Sequence, residues 1–159
     1  MQSFNSEANI MLEKHPLFVI FNKSVINDIT SKCTIANVEA NEMIIQEGKI
    51  TNEEFYLLIE GKANVYIYDQ QKKIFLLNTL SAGDVFGESV MFDGQNRGAS
   101  VYAQVFSKLL IIPKHVIEQL MNKELLLQFI KNLHTQTITN LTKVNTKAIE
   151  LGAVDNYFF

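Results

Sequence analysis

Six of the seven glycines in this 159-residue chain fall between Cys33 and Ile112, and they divide that stretch into short segments rich in Ile, Val, Phe and Tyr. The segments are Met43–Ile45, Phe55–Ile59, Asn64–Tyr68, Ile74–Leu80, Ser100–Val105 and Leu109–Ile112. Runs this short make poor helices, whereas β-branched and aromatic residues with a turn signal roughly every 8–12 positions suit antiparallel strands in a sandwich or barrel. Gly48, Gly61, Gly83, Gly87, Gly94 and Gly98 mark the turns. Residues 33–112 are therefore expected to form an antiparallel β-roll, a double-stranded β-helix or jelly-roll-like barrel.

Helical spacing flanks this region. Ser6 to Ile29 carries Ile10, Met11 and Leu12, then Val25, Ile26 and Ile29, with Pro16 splitting it into two pieces. Beyond Pro113 no glycine occurs until Gly152. Pro113 suits the first turn of a helix ending at about residue 122, with Val116, Ile117, Leu120 and Met121 on its apolar face. A longer helix is expected from Lys123 to Leu151, with a stripe of Leu126, Ile130, Leu133, Thr137, Leu141, Val144, Ala148 and Leu151. That stripe is long enough to form a homodimer through residues 123–151, or to dock on the chain's own roll. The chain thus reads as mainly β with flanking helices, one domain over 1–159. Its parts are a lead-in of N-terminal helices (1–32), the roll (33–112) and two C-terminal helices (113–151).

A content of 47% hydrophobic and 19% charged residues excludes a disordered chain. No stretch approaches the roughly 20 apolar residues of a membrane span. The first fourteen residues hold Glu7 and Glu13 and no secretory core, so a cytoplasmic location without a membrane partner is expected. The single Cys33 cannot form an internal disulfide, which agrees with a reducing compartment. A net charge of −3 with no Lys/Arg cluster argues against direct nucleic-acid binding.

The chemistry concentrates in residues 83–100, GDVFGESVMFDGQNRGAS. Gly87 lets the backbone come close to a ligand. Glu88 to Phe92 can make one helical turn whose leading N–H groups form an anion site. Arg97, with Gly98 beside it, places a guanidinium where it can pair bidentately with phosphate oxygens. Glu88 repels phosphate, so it is better suited to accept a hydrogen bond from a ribose hydroxyl.

Phe86-Gly87-Glu88, eight residues, then Arg97-Gly98-Ala99-Ser100 resembles the phosphate-binding cassette of cyclic nucleotide-binding domains. That family includes the catabolite activator protein, the regulatory subunits of cAMP-dependent protein kinase and nucleotide-gated channels. The resemblance extends over roughly 17–151. Gln46-Glu47-Gly48 resembles the family's acidic-glycine turn, Phe55 to Gly61 its aromatic strand, and Leu80 to Asp84 its approach to the cassette. Asn41 stands where the family usually has glycine, and asparagine tolerates the left-handed backbone region better than most residues.

The resemblance implies that Arg97 neutralises the cyclic phosphate, that Glu88 takes the ribose 2′-hydroxyl, and that the backbone N–H groups of Ser89 and Val90 complete the anion nest. Phe86, Gly87, Gly98 and Ala99 frame the site. In cGMP-preferring relatives a hydroxyl residue follows the cassette arginine; here Gly98 follows it, which implies cAMP as ligand ahead of cGMP. Thr137, Asn140 and Thr142, or the terminal Tyr157-Phe158-Phe159, are the candidates to cap the base. In catabolite activator relatives the long helix leads to a DNA-reading domain, which would lie beyond Phe159. With the chain stopping at Phe159 that domain is not expected, which implies relay to an unidentified downstream protein or within a homodimer, or else that the sequence is a fragment of something longer.

Two other classes fit such a chain less well. An enzyme on a related β-roll, such as a metal-dependent cupin, needs clustered His and carboxylate ligands inside the roll. His15, His115 and His134 all fall outside the strand segments, so neither catalysis nor a metal is expected. A degenerate cassette that binds no nucleotide and serves as an interaction or oligomerisation module is the alternative.

Overall fold

The computed structural model describes residues 6–49, 52–93 and 97–150. Two short helices lead in, α1 (Ser6–Lys14) and α2 (Lys23–Ser31). Pro16 lies in the turn between them, and Asn22 caps α2 by accepting the Val25 N–H at 2.9 Å. Eight strands follow: β1 (Thr34–Val38), β2 (Met43–Ile45), β3 (Glu54–Glu60), β4 (Lys62–Tyr68), β5 (Ile74–Ser81), β6 (Val85–Phe86), β7 (Ser100–Ala103) and β8 (Ser107–Pro113). A single-turn helix, α3 (Val90–Asp93), separates β6 from β7, and α4 (Lys114–Leu120) and α5 (Lys123–Glu150) follow β8.

The strands form two four-stranded sheets, ordered β1-β8-β3-β6 and β2-β7-β4-β5, with every pair antiparallel. The antiparallel β-roll with flanking helices is therefore present. It is two facing sheets with edge strands, not a closed barrel. Asn41 does adopt the left-handed conformation, with φ 70°.

Two cores share the first sheet. Tyr56, Leu58, Leu109 and Phe86 face Ile45, Ala63, Leu80, Val101 and Ala103 of the second sheet. The alternate residues Phe55, Leu57, Ile59, Leu110 and Ile112 point the other way, into a core made with the helices. Strand β3 is thus buried on both faces from Phe55 to Ile59. The helical core also takes Leu12, Phe18, Ile26, Ile29, Val116 and Ile117, together with Phe129 and Leu133 of α5.

Helix α5 sits differently from the expected stripe. Its fully buried residues are Phe129 and Leu133, and Phe129 meets Phe18 at 5.6 Å edge-on and Phe21 at 5.9 Å stacked. Leu126 and Ile130 are half-buried and Leu141 is exposed, while Leu151 lies outside the described residues. Of the expected stripe, Leu133 is fully buried and Thr137 half-buried, whereas Phe129, which the stripe did not include, is the residue packed beside the α1–α2 connection. Among the described residues no helix is long and apolar enough to cross a membrane.

Candidate functional site

A cavity of about 1010 Å³ opens beside the second sheet, between the 84–101 segment and α5. Val65, Ile67, Leu77 and Leu80 of β4 and β5 form an apolar wall. Phe86, Gly87, Glu88, Ser89, Arg97, Gly98 and Ala99 line the opposite part, and Gln136, Thr137, Asn140 and Leu141 of α5 lie across it.

The local backbone explains the placement of Arg97. Gly87 has φ +76°, and a Cβ there would approach Arg97 Nη1 to 3.2 Å and Ile45 Cδ1 to 3.1 Å. Glycine therefore allows its carbonyl to accept from Arg97 Nη1 at 2.8 Å, while Nη2 donates to the Glu54 carbonyl at 2.7 Å. The main chain of Arg97 is pinned as well. Its carbonyl accepts the Gly48 N–H at 2.8 Å and its N–H donates to Lys49 O at 3.3 Å. The Gln46-Glu47-Gly48 turn thus clamps the end of the cassette, and the guanidinium is held almost wholly buried at the cavity.

Glu88 is 8% exposed. Its Oε1 accepts Gln136 Nε2 at 3.2 Å and Asn140 Nδ2 at 3.0 Å. Burial pushes its carboxyl pKa up; its own backbone N–H, the two amides and the Arg97 charge oppose that shift. Ser89 lines the cavity, but Val90 does not: it is buried in the helical core, and its N–H faces Gly87 O at 3.5 Å. Of the two amides expected to form an anion nest, only that of Ser89 belongs to a cavity residue.

The base-capping candidates separate. Thr135, Thr139 and Thr142 each donate a hydroxyl to the carbonyl four residues back, at 3.1, 3.0 and 2.9 Å. Thr137 does not, and its hydroxyl oxygen is buried without a hydrogen-bond partner. Thr137 and Asn140 line the cavity, whereas Thr142 is exposed and does not. Tyr157-Phe158-Phe159 lies outside the described residues. Gln136 was not a sequence candidate. Its signal was its helical register with Phe129, Leu133 and Asn140, visible once Phe129 is known to face inward. His15 also lines the cavity; burial lowers its pKa. Among the described residues no group of three or more side chains could hold a metal ion.

The cyclic nucleotide-binding domain family model matches residues 35–124, from β1 to the start of α5. The chain belongs to that family. Cyclic nucleotide-binding relatives include the cAMP-activated global transcriptional regulator CRP of Salmonella typhimurium, 28% identical over 128 residues, which are 79% of this chain and 59% of that protein. The cGMP-dependent protein kinase of Plasmodium berghei is 29% identical over 65% of this chain and 11% of its own length. The chain therefore spans less than two thirds of either relative. The fold matches the catabolite activator protein of Thermus thermophilus with a TM-score of 0.71 and 21% identity, covering 86% of this chain and 63% of that one. Gln136, Thr137 and Asn140 lie beyond the residues matched by the family model.

Proposed function

We propose that this cyclic nucleotide-binding domain is a regulatory sensor that prefers cAMP to cGMP. The observation that carries the reading is the burial of Arg97 and Glu88 side by side on one cavity, within a cassette bounded by Gly87 and Gly98. Arg97 meets the cyclic phosphate, helped by the Ser89 amide, and Glu88 accepts the ribose 2′-hydroxyl. The base rests against Val65, Ile67 and Leu77. A Cβ at Gly98 would meet nothing within 4 Å, so the position has room for a hydroxyl side chain and carries none, which supports cAMP.

Thr137 caps the base in this reading, because a base amino group supplies the partner that its buried hydroxyl lacks. Thr137→Val keeps the shape and removes the acceptor. It is expected to weaken cAMP binding about fivefold, on the order of 1 kcal/mol, by isothermal titration.

Relay runs through packing. Val90 and Met91 of α3 share the helical core with Val116 and Ile117 of α4, so a shift of the cassette turn is felt at the α4–α5 junction. Helix α5 passes the change on, either to a downstream protein in the cytoplasm or to a second copy through its exposed Leu127, Ile138 and Leu141.

Thermal melting with cAMP, with cGMP and without nucleotide tests the reading. Saturation at about 100 times the dissociation constant adds about 2.7 kcal/mol, or roughly 5–10 °C for a domain of this size. cAMP should shift the transition at lower concentration than cGMP. No shift with either nucleotide would leave a module that works through protein contacts alone.

A further inference from the structure

We propose that the neutral imidazole of His15 is a positioning group for the nucleotide site: it ties the α1–α2 connection that seats α5 over the cavity, and protonating it lowers nucleotide affinity. The inference rests on the reading of the cavity as a nucleotide site.

His15 Nδ1 accepts the Leu17 N–H at 3.2 Å across Pro16. The same ring meets Phe18 edge-on at 6.1 Å. Leu17 and Phe18 are fully buried, and Phe18 is a partner of Phe129 on α5. Helix α5 touches the connection a second time, where Asn132 Nδ2 donates to the Pro16 carbonyl at 3.5 Å. One to two helical turns beyond Asn132 stand Gln136, Thr137 and Asn140, the α5 residues that cross the cavity. His15, Pro16 and Asn132 line the cavity themselves.

A ring nitrogen that accepts a hydrogen bond carries no proton, so His15 is neutral with its proton on Nε2. Imidazolium has donors only, and protonation would set two N–H groups against each other at Leu17. Burial lowers the His15 pKa, and the Asp84 charge from the β5–β6 turn opposes that shift. The other charged side chains of the cavity are Glu88, Arg97 and Lys143, and α1 adds the neighbouring Glu13 and Lys14. The folded-state pKa therefore lies below the unfolded value of about 6.5. Stability from the neutral ring is complete above that value and is lost as pH falls from it towards the folded-state pKa. The seating of α5 weakens with it, and apparent affinity falls with the competent fraction.

The test is isothermal titration of the full chain and of His15→Asn with cAMP at pH values of about 7.5, 6.5 and 5.5, spanning the ordinary histidine range. Melting temperatures are taken at the same pH values. Asparagine accepts the N–H two residues on through an Asx turn and does not titrate, so it keeps the tie throughout. From the highest to the lowest pH, the unaltered chain should lose about three- to fivefold more cAMP affinity than His15→Asn. Glu88 is common to both proteins, so its own titration cancels in the comparison. His15→Phe fills the space without an acceptor and keeps the test open if asparagine folds poorly. It should bind cAMP more weakly than the unaltered chain at the highest pH, with the shallow pH dependence of the asparagine variant. An equal fall in all three proteins would overturn the proposal. So would affinity that rises on acidification only where histidine is present, which would make the imidazolium a contact for the phosphate. Failure of the unaltered chain to bind nucleotide at any pH would overturn the sensor reading instead. The melting temperatures would then decide the tie, which requires a steeper fall with acid in the unaltered chain than in His15→Asn.

Discussion

If Arg97 holds the cyclic phosphate as proposed, Arg97→Ala is expected to weaken cAMP binding about a hundredfold, on the order of 3 kcal/mol, through the loss of charge-assisted hydrogen bonds to a buried anion. The guanidinium is 5% exposed and held by the Gly87 and Glu54 carbonyls, so little reorganisation precedes binding. Alanine also strips a donor from each of those carbonyls, and the unliganded melting temperature should fall. Arg97→Lys separates charge from geometry. One ammonium cannot span both carbonyls and present a planar fork to phosphate, so about a tenfold loss is expected. Titration calorimetry gives the affinities, and differential scanning calorimetry gives the stability. Unchanged affinity in Arg97→Ala would mean that the anion sits elsewhere.

Phe129→Ala should be the most destabilising of the substitutions considered, at about 3–5 kcal/mol, or roughly 10 °C in melting temperature for a chain of this length. The ring is fully buried and contacts both Phe18 and Phe21, joining α5 to the α1–α2 connection. Aromatic pairs of this geometry add about 0.5–1.5 kcal/mol each beyond area burial. Leu127→Ala, two residues away at a side chain 60% exposed, should change stability by less than about 0.5 kcal/mol. Similar losses for the two variants would mean that α5 is not anchored through Phe129.

The contrast between these residues explains what the sequence could and could not reveal. The cassette was legible because its chemistry is local: Gly87, Glu88 and Arg97 sit at a fixed spacing between two strands, and the fold needs only to close that loop. The strands were legible from glycine punctuation, except Thr34–Val38, which no glycine precedes, and Val85–Phe86, which is too short to carry a pattern. The inward face of α5 was legible only at Leu133 and Thr137. A stripe is found by looking for apolar residues, yet Gln136 and Asn140 turn inward to serve a buried carboxylate. Polar groups recruited by a buried charge look, in the sequence alone, like a solvent face. Leu126 and Ile130 consequently drew the predicted stripe away from Phe129. The Val90 amide, which faces the Gly87 carbonyl at 3.5 Å, departs from the expected position for a related reason, since spacing alone does not say which N–H groups of a turn face the turn itself.

Strand β3 carries a consequence of its own. A strand with one wet side is held in register because a one-residue slip would put oil in water. From Phe55 to Ile59 this strand has no wet side, so that safeguard is missing. Alignment must come from the ends. At one end is the irregular pairing with β8 between Leu58 and Glu60. Just beyond lies Gly61, whose φ of +102° and close approach to the Phe106 carbonyl leave no room for a side chain.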